Sequence, residues 1–127
     1  MNPEQQIQQA QRHIRPSRVM AAEVTQLEDV AAQLMTVQRY WNASNREACL
    51  AAALSDSRAV WHGLQSALAA NRLALPLEVQ QNLLILSVYA DSKISACESA
   101  PDRDVLGSLI ALTRTLAGSL KEWQVAA

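Results

Sequence analysis

Between Glu47 and Leu68 the large apolar residues fall at Leu50, Leu54, Trp61, Leu64 and Leu68, with Ser57 filling the one gap. Steps of four and three draw a single seam down a helix of about six turns, at 3.6 residues per turn. The small residues Ala51 to Ala53 flank that seam and let neighbouring helices approach closely. Because the bulkiest anchor, Trp61, sits near its middle, this segment is expected to be the central helix of an all-helical bundle.

Upstream, over residues 18–42, Met20, Val24, Leu27, Ala31, Leu34 and Trp41 recur at three and four, interrupted by Gln38 and widened by Val30 and Val37. A stripe this wide suits a helix packed on two neighbours. Pro16-Ser17 is expected to break the chain ahead of it, with Ser17 as the N-cap. Residues 3–14 carry only Ile7, Ala10 and Ile14 as an apolar stripe, too thin to hold an isolated helix. The chain therefore divides into a short helical arm over 1–16 and a bundle over 17–127.

Downstream of the first long helix, Asn42 to Asn45 reads as a turn, and Ser44 with Glu47 has the spacing of a capping box. Asn71 is placed to close the central helix in the left-handed conformation, and Pro76 to open the next. That next helix, to about Ala96, is seamed by Val79, Leu83, Leu86, Ala90 and Ile94. It is apolar nearly all round from Leu83 to Leu86, and Val88 and Tyr89 follow. Such a helix either lies deepest in the bundle or faces a partner. Asp102 and Asp104 favour a last N-terminus, followed by the stripe Val105, Leu109, Leu112, Leu116, Leu120 and Trp123. The fold class is all-α: an antiparallel bundle of about four long helices plus a short N-terminal helix.

Composition sharpens this picture by exclusion. The 127 residues are 50% hydrophobic but only 4% aromatic, and three Gly with four Pro are too few for a many-turned β fold. One domain of this size buries roughly two thirds of its unfolded surface. A net charge of −1 gives no general attraction to nucleic acid or anionic membrane. There is no apolar run long enough for a membrane span, and the first residues lack the basic-then-apolar order of a secretory signal. A cytoplasmic location is expected, with Cys49 and Cys97 as buried reduced thiols.

Candidate chemistry is sparse. There is no Gly-rich phosphate loop and no nucleophile–base–acid spacing, so no catalytic residue, cofactor or metal is expected and the enzyme class is set aside. His13 and His62 read as surface or half-buried residues, and Asp56 and Arg58 as partners for adjacent helices. Arg12, Arg15 and Arg18, with His13, form a basic cluster that could meet RNA phosphates. The absence of an aromatic residue for base stacking argues against nucleic acid.

Three segments resemble the FlaF family of flagellar biosynthesis regulators. Its pattern A-L-x-x-N-R-x-L-W is similar to Ala53-Leu54-Ser55-Asp56-Ser57-Arg58-Ala59-Val60-Trp61. A loop ending in L-P and an aliphatic helix follow in the family, as do Leu75-Pro76 and Leu83 to Val88 here. The closing I-N-R-x-I-x-x-G-L resembles Leu112-Thr113-Arg114-Thr115-Leu116-Ala117-Gly118-Ser119-Leu120. The opening S-P-R-E-x-E-A is loosely matched by Ser17 to Ala22. Both asparagines of the N-R pairs are replaced, by Ser57 and Thr113; Ser119 stands for the glycine, beside Gly118, and Gln80 for a common basic residue.

The resemblance implies a cytoplasmic, non-enzymatic protein that binds flagellin as an export chaperone and promotes its synthesis, with the repressor FlbT as a second partner. Control of flagellin translation, through mRNA or FlbT, is the alternative it implies, and a self-associating bundle (monomer or homodimer) is the third. A partner surface is expected around Arg58, Trp61, Leu84, Ile85, Tyr89 and Arg114, combining an apolar anchor with a charged rim. Two readings of Trp61 compete: anchor of that surface, or core residue holding the bundle together.

Overall fold

The computed structural model describes the backbone of residues 3–126 and the side chains of residues 18–124. Four helices follow in order: α1 (Pro3–Arg39), α2 (Arg46–Ala69), α3 (Leu77–Ser99) and α4 (Arg103–Ala126). Each packs on its sequence neighbours, and α4 returns to close on α1, whereas among the described residues the backbones of the diagonal pairs α1/α3 and α2/α4 do not approach closely. Cross-helix partners fix the directions. Along α2, Arg58, His62 and Gln65 meet Glu98, Asp91 and Ser87 of α3, so one numbering falls as the other rises. Likewise Glu28 meets Lys121, and Gln38 lies over Gly107, on α1 and α4. The result is the antiparallel four-helix bundle that the short connections predict.

Most positions of the seams read from the sequence form its core. Trp41, Val79, Leu86, Val105 and Leu112, however, are only half-buried, and Trp123 is exposed. On α4 the reason is that Leu106 and Ile110 turn inward in place of Val105 and Leu112. Leu50, Leu54, Ser57, Trp61, Leu64 and Leu68 of α2 are all buried, against Met20, Val24, Leu27 and Leu34 of α1. Leu83, Ala90, Ile94 and Cys97 supply α3, and Leu106, Leu109, Leu116 and Leu120 supply α4.

Two expectations on the chain's first third are corrected. Helix α1 continues through Pro16-Ser17, so neither the break nor a separate short helix is present, and Ser17 is no N-cap. Within a helix a proline removes one backbone hydrogen bond and crowds the carbonyl four residues earlier, a cost of about 3 kcal/mol that kinks or weakens a helix without having to end it. The capping box is also absent: Asn45 is the N-cap of α2 and makes no side-chain cap bond. Arg46 instead stacks its guanidinium over Trp41, 4.3 Å from the ring centre, which ties the turn together.

The other ends behave as read. Asn71 has φ 55°, and the N–H groups of Asn71 and Arg72 bond the carbonyls of Leu68 and Ala67, closing α2 in a Schellman motif. Pro76 is the N-cap of α3, and the Asp102 carboxylate accepts from the N–H groups of Asp104 and Val105 to cap α4. Ala74, with φ 54°, adopts the left-handed region without any sequence signal for it.

Candidate functional site

Helix α3 presents two apolar faces. Its core face is Leu83, Ser87, Ala90, Ile94 and Cys97. At 100° per residue, Ile85, Val88, Tyr89 and Ser92 point the opposite way, spaced i, i+3, i+4 and i+7. Ile85 is 57% exposed, Val88 65% and Tyr89 60%, and together with Ser92 they line a shallow, open hollow on the surface of that one helix. Leu77, the first residue of the same helix, is also exposed, while Leu84 is half-buried on the flank. A run of large apolar side chains turned to solvent on one helix face is the arrangement that docks another helix.

The remaining members of the expected surface lie elsewhere. Trp61 is 0% exposed and belongs to the core, so its place in a partner surface is a correction. The reason is angular: it falls on the same seam as Leu54, Leu64 and Leu68, which α2 turns inward. Arg58, three residues earlier, sits at the edge of that seam and reaches across to α3. Its guanidinium donates to Glu98 at 2.6 Å and to the Ser95 hydroxyl at 3.1 Å. That bond raises the Arg58 pKa and holds the Glu98 carboxyl below its usual range. Arg114 is on α4, exposed in a different groove that α4 forms with α1. Of the six residues, Ile85 and Tyr89 with Leu84 at their side are together; Arg58, Trp61 and Arg114 are not with them.

For the basic cluster, Arg18 is exposed on α1, whereas the side chains of Arg12 and Arg15 lie outside the described residues. Sequence reading passed over Val88 as a site residue, although it continues the apolar run, because a run alone does not say which way each side chain points. Small polar links line the α2/α3 seam. His62 Nε2 lies 3.2 and 3.3 Å from the two oxygens of Asp91, and Gln65 donates to Ser87. Asp56 accepts from Gln33 of α1, so Asp56 and Arg58 do pair with adjacent helices. On α1, burial raises the Glu23 pKa, and nearby Arg72 partly offsets it.

Cys97 is buried, its thiol 3.7 Å from the Asp102 carbonyl, but Cys49 is exposed, contrary to expectation. Its side chain lies just off the α2 seam, beside rather than on the line of Leu50 and Leu54. Among the described residues no group of three or more metal-ligating side chains occurs, and no helix is long and apolar enough to cross a membrane.

A sequence model of one family, flagellar protein FlaF, matches residues 4–120, nearly the whole chain. The chain belongs to the FlaF family. No curated protein and no solved structure matches it. With the FlaF assignment, the departures at the two N-R pairs acquire a location. Ser57 and Thr113, where the pattern has asparagine, are both fully buried, one on α2 and one on α4. The Thr113 hydroxyl donates to the Leu109 carbonyl at 2.7 Å, whereas the Ser57 hydroxyl and the Trp61 indole N–H, one turn apart, have no partner among the described residues. The arginines that follow them, Arg58 and Arg114, leave the core on different sides of this FlaF bundle.

Proposed function

We propose that this FlaF-family protein is a non-enzymatic flagellar factor that binds flagellin in the cytoplasm, masks an apolar helical segment of it and promotes its synthesis and export. The observation that carries this reading is the outward face of α3: Ile85, Val88 and Tyr89 stay exposed after the bundle has closed its core. A filament-forming subunit must be kept from pairing with its own copies before export. An apolar helix laid along α3, with anchors at i, i+3, i+4 and i+7, would do that. Tyr89 adds a phenolic hydroxyl at the rim of the hollow, able to bond a polar group beside the docked apolar side chains.

The test is co-elution of the purified protein with flagellin on size exclusion, using wild type and an Ile85→Asp, Tyr89→Asp double variant. Wild type is expected to carry flagellin and the double variant to lose it, with helical circular dichroism unchanged. Equal co-elution by both, or none by wild type, removes the reading. A strain lacking the protein and complemented with the variant is expected to retain flagellin inside the cell.

The alternative, control of flagellin translation through mRNA or FlbT, rests on the family resemblance and not on the α3 face. A gel shift with the flagellin leader, weakened by replacing Arg12, Arg15 and Arg18 with Ala, would favour it. Self-association through the same α3 face is separated by light scattering with and without flagellin.

A further inference from the structure

A second surface lies on the other side of the bundle from the α3 face. Between α1 and α4, one depression is lined by Glu28, Met35, Arg114, Gly118 and Lys121 over a floor of alanines. The next is lined by Met35, Arg39 and Arg103. Both share Ala32 and Met35, so the two depressions adjoin. From Glu28 to Arg39 their lining spans about 16 Å along α1, at 1.5 Å per residue. That length suits about three turns of a docked helix.

Its charge is the distinctive feature. Four cations line it against one carboxylate, Glu28, and that carboxylate is already paired with Lys121 at 2.9 Å. Arg39, Arg103 and Arg114 make no ion pair among the described residues, in a chain whose acids outnumber its bases. The floor is made of small residues: Ala31, Ala32, Ala117 and Gly118. A Cβ built on Gly118 meets nothing within 4 Å, so a partner backbone can come close there. Met35, 41% exposed, supplies an adaptable apolar contact. No aromatic side chain lines either depression, so nucleic-acid bases would find nothing to stack on.

We infer that the α1/α4 groove is a docking site for an acidic amphipathic helix of a partner protein, separate from the surface on α3. The occupant's small apolar side chains face the alanine floor and Met35. Its carboxylates, along the flanks, meet Arg103 and Arg39 at one end and Arg114 near the middle. The exposed face of α3 carries no carboxylate at Ile85, Val88, Tyr89 or Ser92, so a second copy docking by that face lacks the matching charge.

The experiment uses the full chain and a labelled amphipathic peptide of about 18 residues, with alanine and leucine on one face and glutamate on both flanks. Fluorescence anisotropy is read from about 0.05 to 0.2 M salt. Controls are the same peptide with lysine for glutamate and a single-stranded oligonucleotide. The acidic peptide is expected to bind at least tenfold tighter than the lysine peptide, and to weaken with salt. Gly118→Leu, which fills the open floor, and Arg114→Glu are each expected to weaken it tenfold or more. The thermal midpoint of Gly118→Leu should be unchanged or higher, because a Cβ there meets nothing within 4 Å and the change removes a glycine from a helix interior. Ile85→Asp with Tyr89→Asp should leave peptide binding as it was. Equal binding of the two peptides, indifference to Gly118→Leu and Arg114→Glu, tighter binding of the oligonucleotide, or loss on changing the α3 face would each overturn the proposal. Because the readout contains no flagellin, its failure leaves the reading of α3 to be judged on its own test.

Discussion

Helices α2 and α3 are neighbours of almost equal length, 24 and 23 residues, yet they divide their apolar residues in opposite ways. In α2 every large aliphatic residue on the seam, and the largest side chain of all, goes into the core. In α3 the core takes a seam containing Ser87, Ala90 and Cys97, and larger residues such as Ile85, Val88 and Tyr89 are left in solvent. Size therefore does not decide which apolar residues stay in solvent. Surplus does: a helix with apolar residues on both faces has more than one core can accept. Trp61 was a natural suspect because large aromatics dominate binding energetics, but its seam position settles its fate before any partner arrives.

The sharpest way to break this contrast is to exchange the two kinds of site for alanine. Trp61→Ala should destabilise the protein by about 3–5 kcal/mol, the range for emptying a large buried site. Trp61→Phe should cost clearly less, since the deleted indole N–H has no partner among the described residues. Val88→Ala, by contrast, should change stability by less than about 0.5 kcal/mol. Urea titration of the three variants and wild type gives the comparison. A Val88→Ala loss as large as that of Trp61→Ala would mean that α3 is packed on both faces, and the surplus argument would fall.

That contrast also shows what could be read beforehand. The α2 seam and the thick α3 pattern follow from apolar residues recurring at three and four, because burial on a helix is periodic. On α4 that spacing found Leu109, Leu116 and Leu120 but took Val105 and Leu112 where the core uses Leu106 and Ile110. Asn71 was legible because a left-handed position favours asparagine. The α1/α4 groove was not. Its walls are residues far apart in the chain, and its floor is alanine and glycine, which leave no mark on an apolar pattern. Nor did spacing alone place Arg58 and Arg114 on different sides of the bundle, since that depends on which neighbour each helix turns toward. The capping box failed for a smaller reason: Ser44 and Glu47 had the spacing, but the helix began one residue later, after Asn45.

The buried serines sharpen the comparison next. Ser87 on α3 is satisfied twice, accepting from Gln65 at 2.9 Å and donating to the Leu84 carbonyl at 2.6 Å. Ser57 on α2 is equally buried and has no partner among the described residues. An unpaired buried hydroxyl bears its desolvation cost without return, whereas a paired one adds to stability. Ser57→Ala should therefore raise stability by about 1 kcal/mol, and Ser87→Ala should lower it by about 1–2 kcal/mol. Ser57→Asn, restoring the residue of the family pattern, gives the longer side chain a chance to accept from the Trp61 indole. Loss of stability in Ser57→Ala would show that its hydroxyl has a partner, such as an ordered water.

A weaker effect comes from the ion pair that joins these two helices. Glu98 has its folded pKa held below the ordinary 4.5 by Arg58, so the folded state keeps its charge where the unfolded chain begins to take a proton. Its contribution is complete above the unfolded value and disappears as pH falls through the lowered one. Both side chains face solvent, so the pair should be worth well under about 1 kcal/mol at neutral pH. Arg58→Ala is expected to flatten the acid side of the stability–pH curve slightly, and Glu98→Gln to do the same. If either variant steepened that limb, the pair would not be what links α2 to α3 there.

Smallest in stability, yet decisive for the contrast, is the outer face of α3 itself. Ile85→Asp with Tyr89→Asp replaces two exposed apolar side chains by carboxylates that water solvates freely. Neither position contributes to the core, so the urea midpoint should move by no more than about 0.5 kcal/mol in equivalent stability. At the same time the two carboxylates would lie under any apolar segment docked on α3, where an unpaired charge is costly. Binding should then be lost while folding is not, a separation that no single substitution on the α2 seam can give. If the double variant unfolds with the ease of Trp61→Ala, those side chains are holding the bundle together, and the surface on α3 is structural after all.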